Sequence, residues 1–180
     1  MSLTKIIKNR VSNPKFNSNA LDHEFILDLL NIAAYAPNHK MRQNWRFVLL
    51  TDESKDKLKT SYLSNLSAED YESKKSLLEK AFVAPLIIYF IMNRNESFDD
   101  DLEDLQAIAA LTQNFLLLLE ENNISSFWKT PKYIQSDTFK EVLGLNTNEI
   151  ISHFVMVGYS DQKNQPKPRT DIKTKTNFYS

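Results

Sequence analysis

Between Glu103 and Glu121 the chain carries Leu105, Ile108, Ala109, Leu111, Phe115, Leu116, Leu118 and Leu119. That spacing predicts the longest helix of the chain, with apolar residues on more than one face. A helix that is apolar nearly all round must be buried. In a chain of 180 residues, such burial points to a contact between two copies as well as to the chain's own core. The helix is therefore expected to be buried partly inside the chain and partly against a partner.

The rest of the chain supplies elements of both kinds. Ser2 is a candidate cap for a short first helix with Leu3, Ile6, Ile7 and Arg10 on one face. Phe25, Ile26, Leu29, Leu30 and Ala33 recur at helical spacing, so 22–34 reads as a second helix, stopped by Pro37. Stretches 52–63 and 67–82 also read as helices, and Ser67 with Asp70 resembles a capping box. Strands are expected at 45–51, 86–92, 125–129 and 151–159; the second is apolar on both faces and so central. The acidic stretch 93–104 reads as a surface loop, and 137–143 as a helix closed by Gly144. Residues 161–180 read as an extended polar arm containing Pro-Lys-Pro-Arg. Strands separated by helices, with few hairpin signals, argue for α+β or α/β with a mixed sheet.

Composition removes whole classes of chemistry. With only Gly144 and Gly158, the chain cannot hold a P-loop or a G-x-G-x-x-G dinucleotide fingerprint. The absence of cysteine excludes disulfides, thiolate catalysis, iron–sulfur clusters and thiolate zinc sites. His23, His39 and His153 form no close pair, which argues against a zinc hydrolase. A net charge of −1 gives no reason to expect a nucleic-acid partner. No apolar run approaches the roughly 20 residues of a membrane span, and the N-terminus lacks a signal-peptide core. The expectation is a cytoplasmic protein with no membrane partner.

No nucleophile–base pair or paired carboxylate motif stands out. What does is an ordered set of short segments: Asn9-Arg10-Val11-Ser12, Ala36-Pro37-Asn38-His39-Lys40, Gln43-Asn44-Trp45-Arg46-Phe47, Ala84-Pro85-Leu86-Ile87-Ile88, Gln113-Asn114-Phe115-Leu116-Leu117, Ser126-Phe127-Trp128-Lys129-Thr130, Val157-Gly158-Tyr159 and Lys167-Pro168-Arg169. In this order and spacing the chain resembles the FMN-dependent nitroreductase family over about 5–170. The likeness is greatest to its small members, which carry R-R-S, A-P-D-H-K…Q-P-W and W-R-S in the corresponding places.

The resemblance implies an α+β fold with a mixed central sheet of four to five strands flanked by helices, in one domain over 1–180. It implies an intertwined homodimer with one FMN at each subunit interface. The implied activity is ping-pong transfer of a hydride from NADPH or NADH through FMN to a small oxidant such as a nitroaromatic or a quinone. The chemistry is then carried by the flavin, and no catalytic side chain is expected. Arg10 and Ser12 match the N-terminal flavin segment, where a guanidinium can bind a phosphate through paired hydrogen bonds. Val11 matches the same segment and contributes its backbone. Lys167 and Arg169 match a K-x-R pair at the phosphate. Tyr35 and His39 match positions supplied across the interface. Trp128, Lys129 and Thr130 match W-R-S beside the ring and phosphate, and Gln43 and Asn114 match residues near the ring and in the buried helix. A cation near the flavin N1–C2 edge would favour the reduced, anionic ring, and Lys40 or Lys129 could supply it. Arg42 and Lys132 are candidates for a 2′-phosphate.

Taken singly, these residues have plainer readings: Trp128 as core, Lys129 as an exposed lysine, Ser12 as a turn hydroxyl, His153 as a packed histidine. Some positions also depart from the resemblance. Asn122-Asn123-Ile124-Ser125-Ser126 stands where relatives have a glycine-rich approach, Asn44 replaces a proline and Asn38 an acid. A flavin-binding protein without nicotinamide turnover, storing FMN or reduced by a partner, is the alternative these departures favour. A helical scaffold is a third reading, resting on 105–119 alone.

Overall fold

The computed structural model describes residues 2–179; residues 1 and 180, the two ends of the expected domain and arm, lie outside them. Six helices and four strands follow in the order α1 (Leu3–Asn9), α2 (His23–Ala33), β1 (Arg46–Leu50), α3 (Asp52–Ser64), α4 (Ala68–Phe82), β2 (Leu86–Asn93), α5 (Phe98–Glu121), β3 (Ser125–Lys129), α6 (Asp137–Val142) and β4 (Glu149–Gly158), with three short 3-10 turns among the described residues. The sheet order is β1-β2-β4-β3. Every pairing of these strands is antiparallel. The parallel part of the expected mixed sheet is confined to an isolated bridge between Ser12 and Ser126.

Alternation along the strands sorts side chains to two cores. One face packs Phe90, Val155 and Val157 against α2 (Ile26, Leu29, Leu30) and α5 (Ile108, Leu111, Phe115, Leu119). The other packs Tyr89, Phe154 and Met156 against α3 (Leu58, Tyr62), α4 (Leu78, Ala81) and Phe139 of α6. Strand β2, buried from Leu86 to Met92, is central, as its apolar run predicts.

The start of the long helix differs from the sequence reading. The acidic stretch is not a loop: α5 starts at Phe98, with Asp99, Asp100 and Asp101 in its first turn. Carboxylates there meet the positive end of the helix dipole, and Ser97 caps it by accepting from the Asp99 N–H. As the apolar residues on more than one of its faces imply, the long helix is not enclosed by this chain alone: Leu102 and Leu105 are exposed on one side. Phe25, placed on the core face of the second helix by its spacing, is likewise exposed. The reciprocal capping box belongs to Thr51 and Ser54 at α3, while Ser67 accepts from the Asp70 N–H without a return bond.

A buried histidine joins the sheet to α5. His153 stacks on Phe90, with centroids 4.5 Å apart, and on Trp128 at 4.4 Å. Its Nε2 lies 2.9 Å from Thr112 Oγ1, whose hydrogen is donated to the Ile108 carbonyl. Nε2 therefore carries the proton, and Nδ1 accepts from Ser152 Oγ at 2.9 Å. Burial pushes the imidazole down to about 3.

Gly158 ends β4 because its neighbours leave no room for a side chain. A Cβ there would stand 2.6 Å from Pro85 Cδ and 2.8 Å from Phe16 Cδ1. Gly158→Ala is expected to destabilise the protein by about 1–3 kcal/mol, read as a lower midpoint in urea.

Candidate functional site

Helix α1 stops at Arg10, whose backbone leaves the helical region at φ −58 and ψ 123. The chain then runs along the open edge of β3: Ser12 bridges Ser126, and the Asn13 N–H donates to the Ser126 carbonyl at 2.9 Å. The C-terminal arm returns to the same edge, where Asn164 Nδ2 donates to the Ser12 carbonyl at 2.8 Å. Between the two segments lies a cleft of about 720 Å3. Its lining includes Arg10, Val11, Ser12, Lys167 and Arg169, with Phe127 of β3 as an apolar wall.

Three cations thus face one cleft, and its lining contains no carboxylate. None of the three makes an ion pair among the described residues, whereas Arg42 and Arg46 are both paired. Unpaired cations around a concave, partly apolar wall fit a ligand with an anionic group and an apolar body. The Ser12 hydroxyl adds a neutral donor.

The Trp128-Lys129-Thr130 segment is divided by the strand's alternation. Lys129 falls on the Phe127 side, with its Nζ 5.3 Å from the Phe127 ring centre. Burial, then repulsion from Lys80, holds the Lys129 ammonium below its usual range. Trp128 points to the opposite face and packs on His153, away from the cleft. Thr130 is exposed after the strand ends.

Tyr35, His39 and Gln43 do not line the cleft. They sit on the connection between α2 and β1 and are exposed, Tyr35 at 92%. This connection has an unusual backbone: Lys40, Met41 and Gln43 take φ values of 52, 53 and 47 without being glycine. Such residues persist only where their surroundings over-determine them. Here Arg42 does so, its Nε bonding Asp104 at 2.8 Å and its Nη atoms bonding Asp100 and Glu103, each at 2.9 Å. Asn44 donates to Asp104 Oδ2 at 2.7 Å. Burial alone would raise the Asp104 carboxyl, but bonds from Asn44, Asn95 and Arg42 outweigh it and hold it below the usual carboxylate range. Arg42 is thus consumed by three carboxylates and is not free for a 2′-phosphate; Lys132 is exposed on a 3-10 turn. Lys40 is exposed, and Asn114 Nδ2 donates to the Ala33 carbonyl at 3.3 Å, tying α5 to α2.

Sequence reasoning missed Phe127 as part of the cleft, although its i, i+2 relation to Lys129 already placed both on one face. It missed Asn13 and Asn164 as well, which carry no motif signal. Among the described residues there is no group of three or more His, Cys, Asp or Glu residues able to hold a metal ion. Nor is any described helix long and apolar enough to cross a membrane.

Known proteins share this architecture. A Bacillus subtilis (strain 168) protein named "Putative NAD(P)H nitroreductase YfhC" is 31% identical, over 95% of this chain and 91% of its own. The crystal structure of the nitroreductase-like family protein from Bacillus cereus is 30% identical, with a TM-score of 0.92, covering 99% of this chain and 96% of that one. The FMN and NADPH-dependent nitroreductase NfnB from Sphigopyxis sp. strain HMH has the same fold, with a TM-score of 0.81, 16% identity and full coverage of both chains. The model of the Nitroreductase family matches residues 7–159, and with these likenesses it shows that the chain belongs to the nitroreductase family.

Proposed function

We propose that this chain is an FMN-dependent NAD(P)H oxidoreductase, working as a cytoplasmic homodimer of one domain per subunit. The observation that carries the reading is the cationic cleft of about 720 Å3 between the N-terminal segment and the C-terminal arm. FMN, when bound, supplies a two-electron hydride acceptor and donor. Arg10, Lys167 and Arg169 bind its phosphate, which carries about two negative charges. Ser12 donates a hydrogen bond, the Val11 backbone follows the ligand, and Phe127 walls off water. Lys129 lies outside the cleft's lining, beside its Phe127 wall, and adds positive charge near a bound anion.

A second copy completes the site. Ile7 of α1, Ile32 and Tyr35 at the end of α2, Met41, and Leu102 and Leu105 of α5 are large apolar side chains left exposed. Covering them in a homodimer also brings Tyr35, His39 and Gln43 of one protomer to the flavin of its partner. The oxidant is a small molecule such as a nitroaromatic or a quinone, and the reductant is NADPH or NADH.

One observation favours a narrower role. Asn123, in the turn before β3 where the family resemblance implies glycine, sits at φ 57, and the Asn122 side chain bonds the Leu118 carbonyl at 2.8 Å. These side chains add bulk where a nicotinamide would approach, so a flavin-binding protein without nicotinamide turnover is the second reading.

Anaerobic titration of the FMN-loaded protein with each nicotinamide separates the two. The enzyme reading expects yellow protein whose flavin absorbance bleaches with NADPH or NADH. Bleaching with dithionite alone would select the second reading. Colourless protein that takes up no FMN would overturn both.

A further inference from the structure

We propose that Asn13 is the positioning residue that fastens the C-terminal arm to the N-terminal segment and so assembles the two halves of the cationic cleft. Asn13 is 1% exposed, unusual for an amide next to an open strand edge. Its Nδ2 is within hydrogen-bond distance of Ser125 Oγ at 3.2 Å, Ser160 Oγ at 3.1 Å and the Gln162 carbonyl at 2.5 Å. Its Oδ1 accepts from the Lys15 N–H at 3.2 Å, and its own N–H is held by the Ser126 carbonyl. One buried amide thus ties together the start of the chain, strand β3 and the root of the arm.

The root of the arm is also held by Lys163 Nζ, which pairs with the buried Glu120 carboxylate of α5, and by the bond from Asn164 to the Ser12 carbonyl. The bonds from Lys15 Nζ to Gln162 Oε1 and from Asn17 Nδ2 to Asp161 Oδ1 lie at exposed positions, where water competes. Beyond Asn164, the one side-chain bond from the cations of the arm among the described residues is internal, from Arg169 Nη1 to the Lys167 carbonyl. Where Lys167 and Arg169 stand relative to Arg10 is therefore set at residues 160–164; Glu120 holds that segment to α5, and Asn13 is the buried group that holds it to the N-terminal segment bearing Arg10.

This inference rests on the reading of the cleft as the flavin phosphate site. Its test measures FMN affinity, by quenching of flavin fluorescence, for the wild type, Asn13→Ala, Arg169→Ala and the double variant. Asn13→Ala is expected to weaken binding about tenfold. Arg169→Ala is expected to weaken the wild type to a similar degree but to cost less than about twofold more once Asn13 is gone. Losses that simply add would overturn the proposal, because a general loss of stability would leave the Arg169 contribution intact.

Limited trypsin digestion gives a readout that needs no flavin. Cleavage after Arg169 should be faster in Asn13→Ala than in the wild type; an unchanged rate would overturn the proposal even if the flavin reading failed. Should Asn13→Ala fail to fold, Ser160→Ala removes one partner from the arm side and carries both tests. It is expected to give a smaller loss of affinity and the same non-additivity with Arg169→Ala, and again additive losses would overturn the proposal.

Discussion

Arg10→Ala is expected to weaken FMN binding about ten- to hundredfold, the usual scale for losing a charge-assisted contact. Arg10 closes the first helix and lines the cleft with Lys167 and Arg169, with no carboxylate in the lining to compete for it. A phosphate placed there would meet an unpaired guanidinium with its planar fork of donors. Neutralising Lys74, which pairs with Asp70 on α4, is expected to leave the affinity unchanged. Added salt should weaken the wild type more than Arg10→Ala, because the variant has less charge left to screen. Fluorescence titration at two ionic strengths reads all three effects.

The second large effect is on stability below neutral pH. His153 is buried and neutral, with its imidazole pushed down from 6.5 to about 3. The unfolded chain takes up a proton at the ordinary histidine value, while the folded chain resists until near pH 3. Acid therefore favours unfolding across that window, and the loss approaches about 1.4 kcal/mol per pH unit. Between pH 6.5 and 4 the expected loss is about 3 kcal/mol. His153→Phe keeps an aromatic ring between Phe90 and Trp128 and removes the titrating group. Urea unfolding of the variant should show little pH dependence in that window. The carboxylates of Asp104 and Glu149, both held below their usual range, act at lower pH: their contribution is complete above the unfolded carboxylate value and is lost as pH falls through the folded one. A variant with the wild-type slope would show that His153 does not control it.

Much of this architecture was legible because the deciding forces are local. Strand β3 lies where its aromatic and β-favouring residues predict, and β2 is central because it has no polar face to turn to water. The start of α5 was hidden because three of the four residues in its first turn are aspartates, a composition that reads as solvated loop. Only the cap at Ser97, the helix dipole and the three carboxylates gathered by Arg42 make it helix. The cleft was legible in part. Arg10, Val11, Ser12, Lys167 and Arg169 were named from an ordered likeness and meet in space although they come from opposite ends of the chain. Trp128 shows the limit, since its neighbour Lys129 turns toward Phe127 while it turns toward His153. Which of two adjacent residues lies on the cleft's side of the sheet depends on where the termini settle. Asn13 was illegible for a related reason, because its partners lie more than a hundred residues away in sequence.

The most direct test compares FMN with riboflavin, which has the same ring and ribityl chain but no phosphate. A cleft whose grip comes from Arg10, Lys167 and Arg169 should bind FMN at least about a hundredfold more tightly, as measured by calorimetric titration of the apoprotein. Equal affinity for the two, or no binding of either, would contradict the account.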